Sequence, residues 1–578
     1  MRLVEALGIV KSAKRRDADP FSVFLATGLN PLHLSTFLAA ELSQAFADRK
    51  IELQHGLYGD LLGNVSRLAK ASAEAGIVLL EWADLDARLG IRSSSAWSPA
   101  VCNDIVATVK ARASQLQPMI EAAAQRMPVM VSFPTLPLPP ASFVPGWQAG
   151  SLEIELNGIM HSLRSKIAQR PQVRIPSAQK LEMVSPLRER FDVESELLAG
   201  FPYRLPHASA LANLLAQLTR KPNPKKGLIT DLDDTLWRGI LGEVGVEGIS
   251  WDLDHHTQMH AFYQRVLAAL GAEGVLLGIA SKNERALVES ALGRKDLALS
   301  SDVFFPLEVS WGRKSDAVAR ILKAWNVGAD SVVFVDDSAL ELAEVKASHP
   351  DVECIQFPTK DSTAIYELAL RLRDLFGKSA ILEEDAIRAR SIRRSQESAE
   401  AYQAANSAPA NFLEQVEAEI SLNFSKAPLD PRALELVNKT NQFNLNGKRF
   451  TEAAWQNYLR EPDSFLAVAS YTDKFGPLGK IAVIAGRQNG TELRIDAWVV
   501  SCRAFSRRIE RTCLQEVFSR FGADSIKLDF VKTERNGPLR QFLEELLGAA
   551  PEPGCVITRQ LFESRSKDMR EPQEITNG

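Results

Sequence analysis

Residues 227–237 read GLITDLDDTLW. Three carboxylates, Asp231, Asp233 and Asp234, fall within four positions, with apolar residues on both sides. A short apolar run of this kind predicts an interior strand of a parallel sheet. Open α/β sheets bind ligands beyond the carboxyl ends of their strands, so the acidic cluster stands where a ligand would sit. Two later runs end in the same way. VLLGIAS (275–281) delivers Ser281, followed by Lys282 and Asn283, and SVVFVD (331–336) delivers Asp336, followed by Asp337. Helical patterns at HTQMHAFYQRVLAALGAEG, with Gly271 as its stop, at NERALVESALGR and at SDAVARILKAW separate these strands. The alternation predicts a doubly wound domain.

Such a cluster needs a counter-charge. Two carboxylates about 4 Å apart repel by roughly 4 kcal/mol at an effective dielectric near 20. A divalent cation relieves this, and an all-oxygen set with room for water and phosphate suits magnesium. The candidate ligands are Asp231, Asp233, Asp336 and Asp337. Residues i and i+2 of an extended segment point the same way, which turns Asp231 and Asp233 toward the site and Asp234 away. One carboxylate, Asp231, can attack phosphorus to give an aspartyl phosphate. The other, Asp233, can protonate the leaving oxygen and then activate water. Thr235, Ser281, Lys282, Asn283 and Lys314 are the candidates for holding the phosphoryl group, with Lys314 also counted as catalytic.

Read in order, DLDDT, SKN, WGRKS and FVDDS resemble the four motifs of the haloacid dehalogenase superfamily. The resemblance implies an aspartate nucleophile, an acid/base two residues on, a Ser and a Lys on phosphate, and magnesium on the terminal acidic pair. The stretch from Thr235 to Ser281 has no room for a large cap domain. An uncapped site admits bulky substrates, such as a group on a carrier protein, whereas small-molecule phosphatases more often close to exclude water.

The surrounding sequence narrows the resemblance. DLDDTLWRGILGEVGVEGI is similar to the FkbH-like branch, as are VNKTNQFNLNGKRFTEAAW, SYTDKFGPLGKIAVI and WVVSCRAFSRRIERTCLQEVF in the C-terminal half, which looks like a GNAT-type acyltransferase fold. Upstream, VFLATGLNPLHLSTFLAAEL and YRLPHASALANLLAQL resemble the SGNH-like extension of the long form. This branch implies capture of an acyl phosphate, 1,3-bisphosphoglycerate, release of phosphate and loading of a glyceryl unit onto an acyl carrier protein in polyketide-like biosynthesis. Cys502, followed by Arg503, is the motif's candidate thiol for a thioester; its alternative is a packed small side chain at a strand end. Two narrower readings remain: a phosphatase without acyl transfer, and a carrier-protein docking scaffold with an idle site.

The chain departs from that pattern in places. Asp234 stands where Asn is usual, and Arg238 brings positive charge toward a substrate or merely balances the aspartates. Ser506 and Arg508 replace glycines, which limits backbone approach to a pyrophosphate and counts against coenzyme A. Arg503, Arg507 and Arg508 form either a grip for an acidic carrier protein or a solvated face. In the N-terminal region an SGNH esterase needs a strand-end serine, but ATGLN offers Gly28, Leu29 and Asn30. His33 and His207 are available, but a lone histidine is more often structural or exposed, so this domain is expected not to be an active esterase. The amide-rich NKTNQFN, with Asn438, Thr440, Asn441, Gln442 and Asn444, lines a polar groove or forms a capped loop before a helix starting at Thr451.

The 578 residues suggest three or four domains. The expected fold class is multidomain α/β: an SGNH-like doubly wound domain at 1–222, a minimally capped domain with the aspartates at 223–376, a helical connector at 377–425, a mixed α+β GNAT-like domain at 426–565, and a disordered tail at 566–578. A net charge of −4 gives no drive toward nucleic acid or anionic membrane. No apolar run is long enough to span a bilayer. The N-terminus does not read as a signal peptide. The five cysteines (102, 354, 502, 513, 555) contain no CxxC pair and suit a reducing cytoplasm, with Cys354 read as a core residue. Nothing in the sequence sets the oligomeric state.

Overall fold

The computed structural model describes residues 1–15, 17–141, 144–220, 223–378, 392, 418–473, 476–501, 509–567 and 574–577. The connector expected over 377–425 falls largely outside these residues, as does Cys502 with Arg503, Ser506, Arg507 and Arg508. The chain forms two compact units: residues 1–221 with 450–461, and residues 222–449 with 462–578. The architecture is α/β, with two all-parallel five-stranded sheets and one mixed sheet. No helix among the described residues is long and apolar enough to cross a membrane.

In the first unit the strands are β1 (Pro20–Thr27), β2 (Lys50–His55), β3 (Ala75–Leu79), β4 (Val129–Ser132) and β5 (Val173–Arg174), in the spatial order β2-β1-β3-β4-β5. β3 and β4 are buried at every position, as befits interior parallel strands covered on both faces. The helix Glu452–Arg460 belongs to this unit, although the sequence reading assigns it to the C-terminal domain. Its Ala453 enters the core around Leu156 and Val173, Glu452 pairs with Arg174 at 2.5 Å, and Thr451 Oγ1 donates to Glu74 Oε2 at 2.9 Å.

The second parallel sheet is built from β6 (Gly227–Thr230), β7 (Leu276–Ser281), β8 (Phe304–Val309), β9 (Val332–Asp336) and β10 (Glu353–Gln356), in the order β10-β9-β6-β7-β8. β6 is wholly buried between β9 and β7. Gly227 and Gly278 leave the space that the Trp325 ring fills: a Cβ at either would stand 2.4 or 2.9 Å from it. The preceding helix, Gln258–Ala272, runs through Gly271. The chain leaves it at Gly274, whose φ of +81° suits a residue without Cβ.

β11 (Glu419–Asn423), β12 (Phe443–Asn444), β13 (Ser464–Asp473), β14 (Gly476–Asn489), β15 (Glu492–Val500), β16 (Ser525–Leu528), β17 (Val556–Thr558) and β18 (Glu574–Asn577) make the mixed sheet. Its order is β17-β16-β15-β14-β13-β11-β18, with β12 paired to β15. β14 and β15 form a hairpin that turns at Gly490 with φ +62°. The tail expected to be disordered contains β18, which pairs in parallel with the edge of β11 and so satisfies backbone groups that an edge strand leaves open.

Candidate active site

The parallel register sets Thr230 beside Val335, so Asp231 follows β6 next to Asp336 at the end of β9. The strand order runs from β6 to β7 and β8 on one side and to β9 and β10 on the other. The acidic residues therefore stand at the topological switch point, where the carboxyl ends of diverging strands open a crevice. The Asp231 amide donates to the Val335 carbonyl at 2.9 Å, which carries the pairing one residue past the strand.

Lys314 opens the helix Lys314–Trp325 and reaches back over the strand ends. Its Nζ stands 2.8 Å from Asp231 Oδ2 and 2.5 Å from Asp336 Oδ2, all three side chains being buried. Asp231, Asp336 and Asp337 each offer a carboxylate oxygen within 4.8 Å of the others. Asp231 Oδ1 is buried with no hydrogen-bond partner among the described residues, whereas Asp336 Oδ1 accepts from the Ser338 amide at 2.8 Å. Burial first, and then the charge of Asp231, raise the pKa of both Asp336 and Asp337. Burial works to lower the Lys314 pKa, but Asp231 and Asp336 outweigh it and the ammonium is held. Three carboxylates and one ammonium sum to −2, so the donor set matches one divalent cation in both chemistry and charge.

The Asp233 carboxylate, also expected as a metal ligand, lies outside that group of three. Its Oδ1 accepts from the Trp237 indole N–H and the Leu241 amide, each at 3.1 Å, and its Oδ2 accepts from Asn283 Nδ2 at 2.9 Å. Its pKa is raised by burial, against which the three donors act. The chain turns sharply at Asp234, which has φ +50°, so that the alternation of a flat strand does not carry past Asp233. Asp234 Oδ1 accepts from the Gly239 amide and pairs with Arg238, both at 3.1 Å. Arg238 thus balances an aspartate.

The candidates for holding phosphate divide. Ser281 is buried at the end of β7, with Oγ 3.3 Å from Asn283 Nδ2. Thr235 is fully buried and its Oγ1 has no partner among the described residues. Lys282 pairs with Glu341 at 2.7 Å, and Asn283 Nδ2 donates to Asp233 Oδ2 at 2.9 Å. Trp237 and Leu241 carry no motif signal, since one is an apolar ring and the other acts through its backbone.

Beyond the end of β6, Arg238 and Ser250 close a loop through reciprocal backbone hydrogen bonds of 2.9 and 3.1 Å. The short helix Leu241–Gly248 lies within this flap.

In the N-terminal unit, His207 is fully buried, 3.0 Å from both Thr135 Oγ1 and Ser185 Oγ. The Thr135 hydroxyl donates to Glu81 Oε1 at 2.6 Å, so it accepts from His207 Nε2–H, and Ser185 donates to Nδ1. Burial, then Arg190, push the His207 pKa down to about 3. Tyr203 and the Thr135 and Leu136 amides complete the Glu81 carboxylate. His33 lies edge-on to Phe201. At the end of β1, a Cβ on Gly28 would stand 1.9 Å from Asp84 Oδ1.

The amide-rich segment satisfies itself. Asn444 Oδ1 accepts from the Asn446 and Gly447 amides, Asn441 accepts from Arg449, and Thr451 caps the helix that follows. Cys354 is half-buried, and its thiol is pushed up by burial.

No family model and no curated protein matches the chain. Among solved structures it is similar to the N-terminal part of BF1531 from Bacteroides fragilis, described as containing a phosphatase domain complexed with Mg, at 19% identity and TM-score 0.48, covering 64% of this chain and 99% of that one. It is also similar to a putative GDSL-like lipase from Parabacteroides merdae, at 10% identity and TM-score 0.22, covering 36% of this chain and 98% of that one.

Proposed function

We propose that residues 223–376 form a magnesium-dependent phosphatase working through an aspartyl phosphate, and that its substrate is an acyl phosphate whose acyl group passes to an acyl carrier protein. The observation that carries the reading is the convergence of Asp231, Asp336, Asp337 and Lys314 at one switch point, with Asp231 Oδ1 lacking a hydrogen-bond partner among the described residues. Asp231, Asp336 and Asp337 would hold the cation, which when bound offsets charge on the phosphoryl oxygens.

The chain's own residues divide the work. Asp231 attacks the phosphorus of the substrate's phosphate ester as the P–O bond to the alkoxide breaks, while the acyl group moves separately, a thiolate attacking the acyl carbon and expelling the phosphate of the acyl phosphate. Asp233 gives its proton to a leaving oxygen that needs one, then takes a proton from the water that cleaves the aspartyl phosphate. That second step returns Asp231 as a carboxylate and releases phosphate. Lys314 orients Asp231, and Ser281 and Thr235 supply hydroxyls for the phosphoryl oxygens.

The acyl phosphate, 1,3-bisphosphoglycerate, and the carrier protein rest on the FkbH-like resemblance, as do the roles of Cys502 and of the GNAT-like region. The reading makes this a cytoplasmic biosynthetic enzyme. Incubation of the full chain with magnesium, 1,3-bisphosphoglycerate and an acyl carrier protein, followed by intact-mass measurement, tests it. A carrier gaining a glyceryl mass supports the whole reading. Phosphate release without carrier modification reduces it to a phosphatase, and no turnover of any acyl phosphate overturns it.

A further inference from the structure

We propose that Trp237 and Asn283 are positioning residues for Asp233, and that the flap over 238–250 is the bracket that aims this carboxyl group; the inference rests on the aspartyl-phosphate reading. Both donors to Asp233 Oδ1 come from the flap's base, one on each side of Gly239, whose φ is +106°. The next residue binds the same turn, since Asp234 takes the Gly239 amide and the Arg238 guanidinium. Residues 237–241 are therefore tied to 233–234 at four points. The far oxygen, Oδ2, is fixed by Asn283, just after β7, whose Nδ2 also lies near Ser281 Oγ.

Trp237 is fully buried and packs among Leu236, Leu241, Ile249 and Trp251. Its ring cannot swing without moving that cluster, so the indole N–H is a fixed reference for Asp233. A buried tryptophan N–H usually finds some acceptor. Here the N–H meets the carboxylate that the reaction needs in one orientation, toward the leaving oxygen and then toward water.

The distinguishing measurement is leaving-group dependence. Loss of the bond from phosphorus to an alkoxide needs a proton from Asp233, whereas an acyl phosphate expels a carboxylate that needs none. The parameter kcat/KM reports the steps through formation of the aspartyl phosphate. Full-length Trp237→Phe, which removes the N–H and retains an aromatic ring, is assayed with magnesium on acetyl phosphate and on an alkyl phosphate. Positioning predicts a drop of about 10- to 100-fold on the alkyl ester and less than about threefold on acetyl phosphate. Asp233→Asn should show the same pattern more strongly. Asn283→Ala gives a second, independent release of Asp233 and serves if the tryptophan variant fails to fold. Equal loss on both substrates in a folded variant overturns the positioning role alone. A wild-type protein that turns over neither substrate overturns the phosphatase reading, and this proposal with it.

Discussion

Lys314 Nζ lies 2.5 Å from Asp336 Oδ2 at a point where both side chains are buried, and the same ammonium pairs with Asp231. One cation thus holds together two carboxylates from neighbouring strands. Removing one partner of a buried pair typically costs about 3–5 kcal/mol, because the remaining charge is left uncompensated. Lys314→Met should lower the melting temperature in chelator, and magnesium should restore part of the loss by supplying the missing charge. Thermal unfolding in the two buffers checks this; an equal loss in both would contradict a shared cation pocket.

Thr235 presents a different balance. Its hydroxyl is fully buried without a partner among the described residues. An unsatisfied buried polar group costs about 1–3 kcal/mol. Thr235→Val should therefore raise stability while lowering kcat/KM for phosphate substrates, since the hydroxyl is retained for the phosphoryl group. Melting temperature and steady-state kinetics on the same preparation separate the two effects. A variant that is both less stable and fully active would be the contrary result.

His207 makes the N-terminal unit sensitive to acid. Its folded pKa of about 3 lies below the ordinary 6.5, so between these values the unfolded chain binds more protons. The stability contributed by neutral His207 is present above about pH 6.5 and is lost as pH falls toward 3, an effect on the order of a few kcal/mol. Glu81, raised by burial, acts in the opposite sense, because its folded form keeps a proton to higher pH. His207→Gln removes only the first term. The difference in melting temperature between wild type and variant, followed from pH 8 to 4, should shift against wild type as pH falls; a flat difference would remove His207 as the cause.

The pair between Arg174 and Glu452 tests where the helix Glu452–Arg460 belongs. Their side chains are 10% and 14% exposed. Glu452→Ala leaves Arg174 largely buried without its anion and should cost about 3 kcal/mol locally. Hydrogen exchange should rise in residues 450–461 and in the helix Ser151–Ile167 that shares their core. Unchanged protection there would place this helix's anchoring elsewhere.

The three wholly buried strands that carry the site, β6, β7 and β9, were legible because each is a short apolar run ending in polar residues. The edge strands β8 and β10 were not, because half-buried positions and residues such as Pro306 and Glu353 break the apolar signal. Helix Pro99–Ala124 also went unread; its many alanines and polar residues give a diffuse pattern, and Pro118 interrupts it. Gly271 read as a helix stop, yet a glycine inside a helix costs only about 1 kcal/mol, which packing readily overrides.

The sequence by itself determined the chemical inventory of the site and its order along the chain: acidic groups after one apolar strand, a hydroxyl after the next, a lysine opening a helix, and two more aspartates after the last. Covalent spacing and strand periodicity suffice for that. Tertiary structure alone decided the partners. It set the Asp233 carboxylate against Trp237, Lys282 against Glu341, and Asn283 against Asp233. Hydrogen bonds and ion pairs depend on separations of about 3 Å between groups far apart in the chain, and only the folded backbone sets those distances.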